Sequence, residues 1–94
     1  MADVGKDCGT ENIVVVNYRP PQKVNTHIDN SRNGGQCKVV VEYDVDGESA
    51  PDKKRFPPGT EGDFPGDDVT AIRISCRKGA DGGQCKFSYT ITTG

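Results

Sequence analysis

Four cysteines, one histidine and three clusters of charge are the residues of this sequence that could do chemistry. Cys8, Cys37, Cys76 and Cys85 could ligate a metal, act as nucleophiles or cross-link the chain. Zinc sites are built from close Cys or His pairs, and no Cys-x2-Cys or His-x3-His spacing is present. In a short chain with few apolar residues, four cysteines point instead to two disulfides and an oxidising compartment. A Ser-His or Cys-His nucleophile needs a histidine, and His27 is the only one. It is opposite in parity to Val24 and Ile28 and has polar neighbours, so it is expected to face solvent. Paired carboxylates could serve as acid and base, but 94 residues leave little room for a desolvated cleft. The chain is therefore expected to be non-catalytic.

The charged clusters offer two kinds of binding. In "EYDVDGESAPD", Asp44, Asp46 and Asp52 resemble half of a calcium loop, where hard carboxylate oxygens converge on the ion. The stretch starts at Glu42 and has Lys53 where a bidentate Glu belongs. A solvated strand running into an Asp-Gly turn accounts for the same acids. Calcium is the one cofactor the sequence suggests. Glu61, Asp63, Asp67 and Asp68 form a second acidic group. In "PDKKRFPPG", Lys53, Lys54 and Arg55 stand beside Phe56, with Phe64 eight residues on. Cations beside an exposed aromatic suit a sulfated glycan, a phosphate or an acidic protein patch. A solvated turn whose charges keep an edge strand from pairing is the competing explanation.

The elements that must position these residues are strands. Twelve glycines, six prolines and 32% hydrophobic residues favour turns and short strands over helices. No apolar stripe of helical period is present, and no run approaches the roughly 18 apolar residues of a membrane span. The net charge of −2, with both signs interspersed, argues against a general nucleic-acid-binding face. The whole chain, 1–94, reads as one domain. Met1-Ala2-Asp3 is polar, unlike a secretory leader, so a mature domain behind a start Met is expected.

Strands are expected over 13–18, 24–28, 37–45, 69–76 and 85–92. Pro20-Pro21 should end the first, because neither can donate to a ladder. The stretch 47–68 reads as a long loop with a short edge strand at 53–56. "GGQCK" occurs twice, at 34–38 and 82–86. Beyond it, Val39, Val41 and Tyr43 correspond to Phe87, Tyr89 and Ile91, alternate positions that share one strand face. With Cys76 opposite Cys85, Ile74 falls opposite Phe87 and Ile72 opposite Tyr89. That register favours a Cys76–Cys85 bridge and leaves Cys8–Cys37. Loop entropy assigns about 2.5–3 kcal/mol to the shorter bridge and about 3.5 to the longer. The expected fold is all-β: a small antiparallel β-sandwich of five to seven strands, built from two similar hairpins and stapled by these disulfides. A partly open barrel is the alternative.

The repeated motif is then turn chemistry and core pattern, and function should lie where the halves differ. The expectation is a secreted, non-catalytic module recognising an extracellular protein or glycan through 47–68, with Lys53, Lys54, Arg55, Phe56 and Phe64 as ligand-binding residues. The alternatives are a small secreted effector, toxin or protease inhibitor presenting the 76–85 loop around Lys78 or Arg77, and a structural subunit that assembles through strand edges.

Overall fold

Alternating apolar residues do build strands here, but not between the neighbours expected. The computed structural model describes residues 2–31, 37–77 and 83–94. Its strands are β1 (Ala2–Asp7), β2 (Val14–Asp29), β3 (Lys38–Val45), β4 (Asp52–Phe56), β5 (Glu61–Arg77) and β6 (Gln84–Thr93). They form one antiparallel sheet in the order β1-β6-β2-β5-β3-β4. No helix among the described residues is long and apolar enough to cross a membrane.

The long strands β2 and β5 are the spine. Val14–Asn17 pair with Ile74–Ala71, and Val24–Asp29 pair with Gly66–Glu61. Between these stretches the register shifts twice. Between the pairs Asn17–Ala71 and Gln22–Val69, four residues of β2 are set against one of β5, and Pro20-Pro21 lie in the surplus. Asp68 adopts φ 55° on the facing strand. Bulges add unpaired residues and sharpen local twist, so the sheet turns over on itself there. Prolines without a ladder partner cost no hydrogen bond. They therefore interrupt the pairing without ending the strand, contrary to expectation.

Two layers result. One holds β1, β6, the second half of β2 and the first half of β5. The other holds β3, β4, the first half of β2 and the second half of β5. Their inner faces meet in a core of Val24, Ile28, Val39, Val41, Tyr43, Phe56, Val69, Ile72, Ile74, Phe87 and the cysteines. Tyr43 spans the interface. Its hydroxyl is bonded to Thr26 Oγ1 at 2.7 Å and to the carbonyl of Phe64. A carbonyl only accepts, so Tyr43 donates there and Thr26 donates to Tyr43. Its ring stacks on Phe64, with centroids 4.3 Å apart, and lies against Gly66, where a Cβ would come within 2.7 Å of it.

The all-β sandwich and both disulfides, Cys8–Cys37 and Cys76–Cys85, are as expected. The two similar hairpins are not. β5 pairs with β2 and β3, while β6 pairs with β1 and β2. Cys76–Cys85 is thus a staple between layers, with Cα atoms 6.3 Å apart, within the range a disulfide spans. Parity determines which face a residue joins but not which strand lies beside it. Ile72, Ile74 and Phe87 face inward as expected, across the core rather than along a ladder. The 47–68 stretch is mostly strand. The edge strand β4 is present, and β5 begins at Glu61. Of the repeated pentapeptides, Gly34, Gly35, Gln36 and Gly82 lie outside the described residues.

Candidate functional site

Alternation along β4 divides the expected ligand-binding set between two faces. Phe56 pairs with Val39 and Lys54 with Val41 on the inner face; Arg55 pairs with Val40 and Lys53 with Glu42 on the outer. Phe56 is only 3% exposed, and Phe64 is half-buried under Tyr43. Neither ring is the exposed aromatic expected, because the bend brings the first half of β5 beneath β3. Lys54 follows Phe56 inward. Its Nζ donates to the Asp63 carbonyl at 2.9 Å and lies 5.4 Å from the Phe56 ring centroid. It therefore seals the layer edge.

Lys53 and Arg55 acquire other companions. On the outer face of β3, Lys38 is in register with Arg77 of β5, Val40 with Ser75, and Glu42 with Arg73. Adjacent strands lie about 4.8 Å apart, so cations from three strands converge. Lys38, Lys53, Arg55 and Arg77 line an open groove of about 240 Å³ with Val40 and Glu42 at its floor. Val40 points outward yet is buried, as expected where long cationic stems lie over an apolar residue.

Acids stiffen one side of this face. Arg73 grips Asp44 through two bonds, Nη1 to Oδ2 at 2.6 Å and Nη2 to Oδ1 at 2.8 Å. That bond holds the Asp44 carboxyl below its usual range and the guanidinium above its own. Glu42, its side chain 14% exposed, lies 3.6 Å from Arg73 and 3.7 Å from Arg77, and Arg77 also pairs with Glu11. Among the described residues, Lys38, Lys53 and Arg55 form no ion pair. They are the cations left to meet a ligand.

The calcium residues are not brought together. Asp44 is occupied by Arg73. Asp46 lies in the turn after β3, where its amide donates to the Asp68 carbonyl. Asp52 stands on β4 next to Glu48, whose carboxyl its charge pushes upward. No three carboxylates converge among the described residues; the one close trio of ligand-type atoms is Cys8, Cys37 and Cys76. Asp44 and Asp46 instead line a larger groove at the bend, about 450 Å³, with Tyr18, Arg19 and Pro20.

His27 points outward from the other layer. Its Nε2 meets Glu61 at 2.8 Å and its Nδ1 meets Asp63 at 2.9 Å. Asn25 also donates to Asp63. Bonds to Glu61 and then Asp63 raise the His27 pKa above 6.5. Bonds from Asn25 and His27 lower that of Asp63 below 3.8. With both nitrogens engaged, the imidazolium is a clamp between β2 and β5.

Sequence reasoning missed Lys38 and Arg77 as partners of Lys53, because only the β5-β3-β4 ladder assembles them. Their outward parity was the available signal. Lys78 and the centre of the 76–85 loop lie outside the described residues. Comparison of the chain with protein-family models, curated proteins and solved structures finds no match.

Proposed function

We propose that the protein is a secreted, non-catalytic binding module whose ligand is an acidic extracellular protein or glycan, held on the outer face of β4, β3 and β5. The carrying observation is the convergence of Lys38, Lys53, Arg55 and Arg77 on one groove in a chain of net charge −2. Three of the four have no ion-pair partner among the described residues. Guanidinium and ammonium groups keep their charge at neutral pH and donate several hydrogen bonds each. They suit the holding of carboxylate or sulfate groups rather than proton transfer. Strands fix the backbone spacing of the four, so binding has to order their side chains but not the chain that carries them. The two disulfides are consistent with an oxidising environment such as the cell exterior.

A sulfated polysaccharide titrated by calorimetry tests this reading. The wild-type chain should bind, more weakly as salt rises. The double variant Lys53→Glu, Arg55→Glu should lose at least tenfold in affinity at unchanged melting temperature. Equal binding by both proteins would remove this face from the function.

A further inference from the structure

The two disulfides lie against each other. The sulfurs of Cys8, Cys37 and Cys76 are all within 4.8 Å of one another, and Cys85 is bonded to Cys76. Access differs among them. Cys37, Cys76 and Cys85 are at most 1% exposed. Cys8, in the turn after β1, is half-buried. An attacking thiolate must reach the sulfur it displaces, so Cys8 is the point of entry.

We propose that Cys8 is a site of S-thiolation by a small monothiol, and that attack there is relayed inward to exchange the Cys76–Cys85 bridge for a Cys37–Cys76 bridge. The external thiolate bonds to Cys8 Sγ, the Cys8–Cys37 bond breaks, and its electron pair leaves on Cys37. Buried in an apolar site, that thiolate is poorly solvated, and the sulfur of Cys76 is at hand. Cys37 attacks it, the Cys76–Cys85 bond breaks, and Cys85 takes the electron pair and the proton the monothiol lost. Disulfide number is conserved: one is now mixed, at Cys8, and one joins Cys37 to Cys76. No oxidant or further reductant is consumed.

The new bridge is feasible where it falls. Cys37 precedes β3, whose Val39 is in register with Cys76, and all three side chains are buried in the core. Cys37 and Cys76 are thus diagonal neighbours on one sheet face, a placement that sets Cα atoms about 7–8 Å apart. Cys37 lies before the β3 ladder, and its backbone must move in by about 1 Å for the bridge to close. The exchange matters because of what each bond joins. Cys76–Cys85 ties β5 to β6 across the layers, whereas Cys37–Cys76 lies within the β3-β5 layer. A thiol acting at the surface therefore removes both links between the layers, Cys8–Cys37 and Cys76–Cys85, while the chain keeps a core disulfide.

The test uses the folded chain and glutathione as the probe. After incubation under native conditions, N-ethylmaleimide traps free thiols and peptide mapping locates every bond. The expected product carries one glutathione on Cys8, one maleimide on Cys85 and a Cys37–Cys76 link. Maleimide on Cys37 with Cys76–Cys85 intact would overturn the relay. Glutathione first on Cys76 or Cys85, or no adduct at all, would overturn the entry point. The variant Cys85→Ser offers a second readout, since its Cys76 is a free thiol beside Cys8–Cys37. A fraction linked Cys37–Cys76 with Cys8 free supports the exchange, and maleimide on Cys76 alone contradicts it. Should that variant not fold, the wild-type map decides.

Discussion

Tyr43 shows how single side chains hold the two layers in one arrangement. Its hydroxyl satisfies buried Thr26 and the Phe64 carbonyl, and its ring fills the space left by Gly66. Tyr43→Phe should cost about 1–2 kcal/mol, because the buried Thr26 hydroxyl and the carbonyl each lose a partner. Gly66→Ala should cost about 1–3 kcal/mol by overpacking against that ring. Urea melts measure both. Phe56→Ala should destabilise by about 3–5 kcal/mol through a core cavity, separating its role from that of Arg55 next to it. At His27 the sign follows from the direction of the shift. A folded pKa above 6.5 gives stability that is complete below 6.5 and lost as pH rises through the folded value. Asp63, lowered from 3.8, contributes above 3.8 and fails as pH falls through its folded value. The clamp is strongest between those limits. His27→Gln should abolish the alkaline loss, and NMR titration of the imidazole should give a midpoint above 6.5.

At the scale of elements, the disulfides differ in what they constrain. Loop entropy over separations of 29 and 9 residues gives about 3.6 and 2.6 kcal/mol. Cys8→Ser/Cys37→Ser should therefore lower stability more than Cys76→Ser/Cys85→Ser, as read in denaturant midpoints without reductant. Most strand positions and faces were legible in the sequence because parity is local, but β1 and the first half of β5, which lack alternating apolar residues, were not expected as strands. Val39, Val41 and Tyr43 showed the inner face of β3, and Lys53 to Phe56 the edge strand. Pairing was not legible, since Cys76 facing Cys85 across a core gives the same pattern as Cys76 facing Cys85 along a ladder. Pro20-Pro21 misled for a related reason. A missing donor ends a strand only where the ladder needs it, and a bulge removes the need. The disulfide pairing survived because both geometries bring the same two sulfurs together.

At the scale of the molecule, the sheet gathers onto one face cations that the sequence scatters, in excess of the acids Glu11, Glu42 and Asp44 paired with them there. One outer face carries Lys38, Lys53, Arg55, Arg73 and Arg77. The other carries Glu61 and Asp63 about His27. In the sequence those five cations are spread over 40 positions and interleaved with acids, which is why 53–55 stood out and Lys38 and Arg77 did not. A cationic face on an acidic protein directs an anionic partner to one side. If the position of the cations governs binding, variants of equal net charge will bind differently. Lys53→Glu/Arg55→Glu and Lys6→Glu/Lys23→Glu each change the charge by the same amount, the second pair away from the groove. Binding of each to an immobilised sulfated polysaccharide is measured by surface plasmon resonance at physiological salt. The first pair should lose at least tenfold in affinity and the second less than twofold. Equal losses would mean that the protein responds to its net charge alone and that the face has no special role.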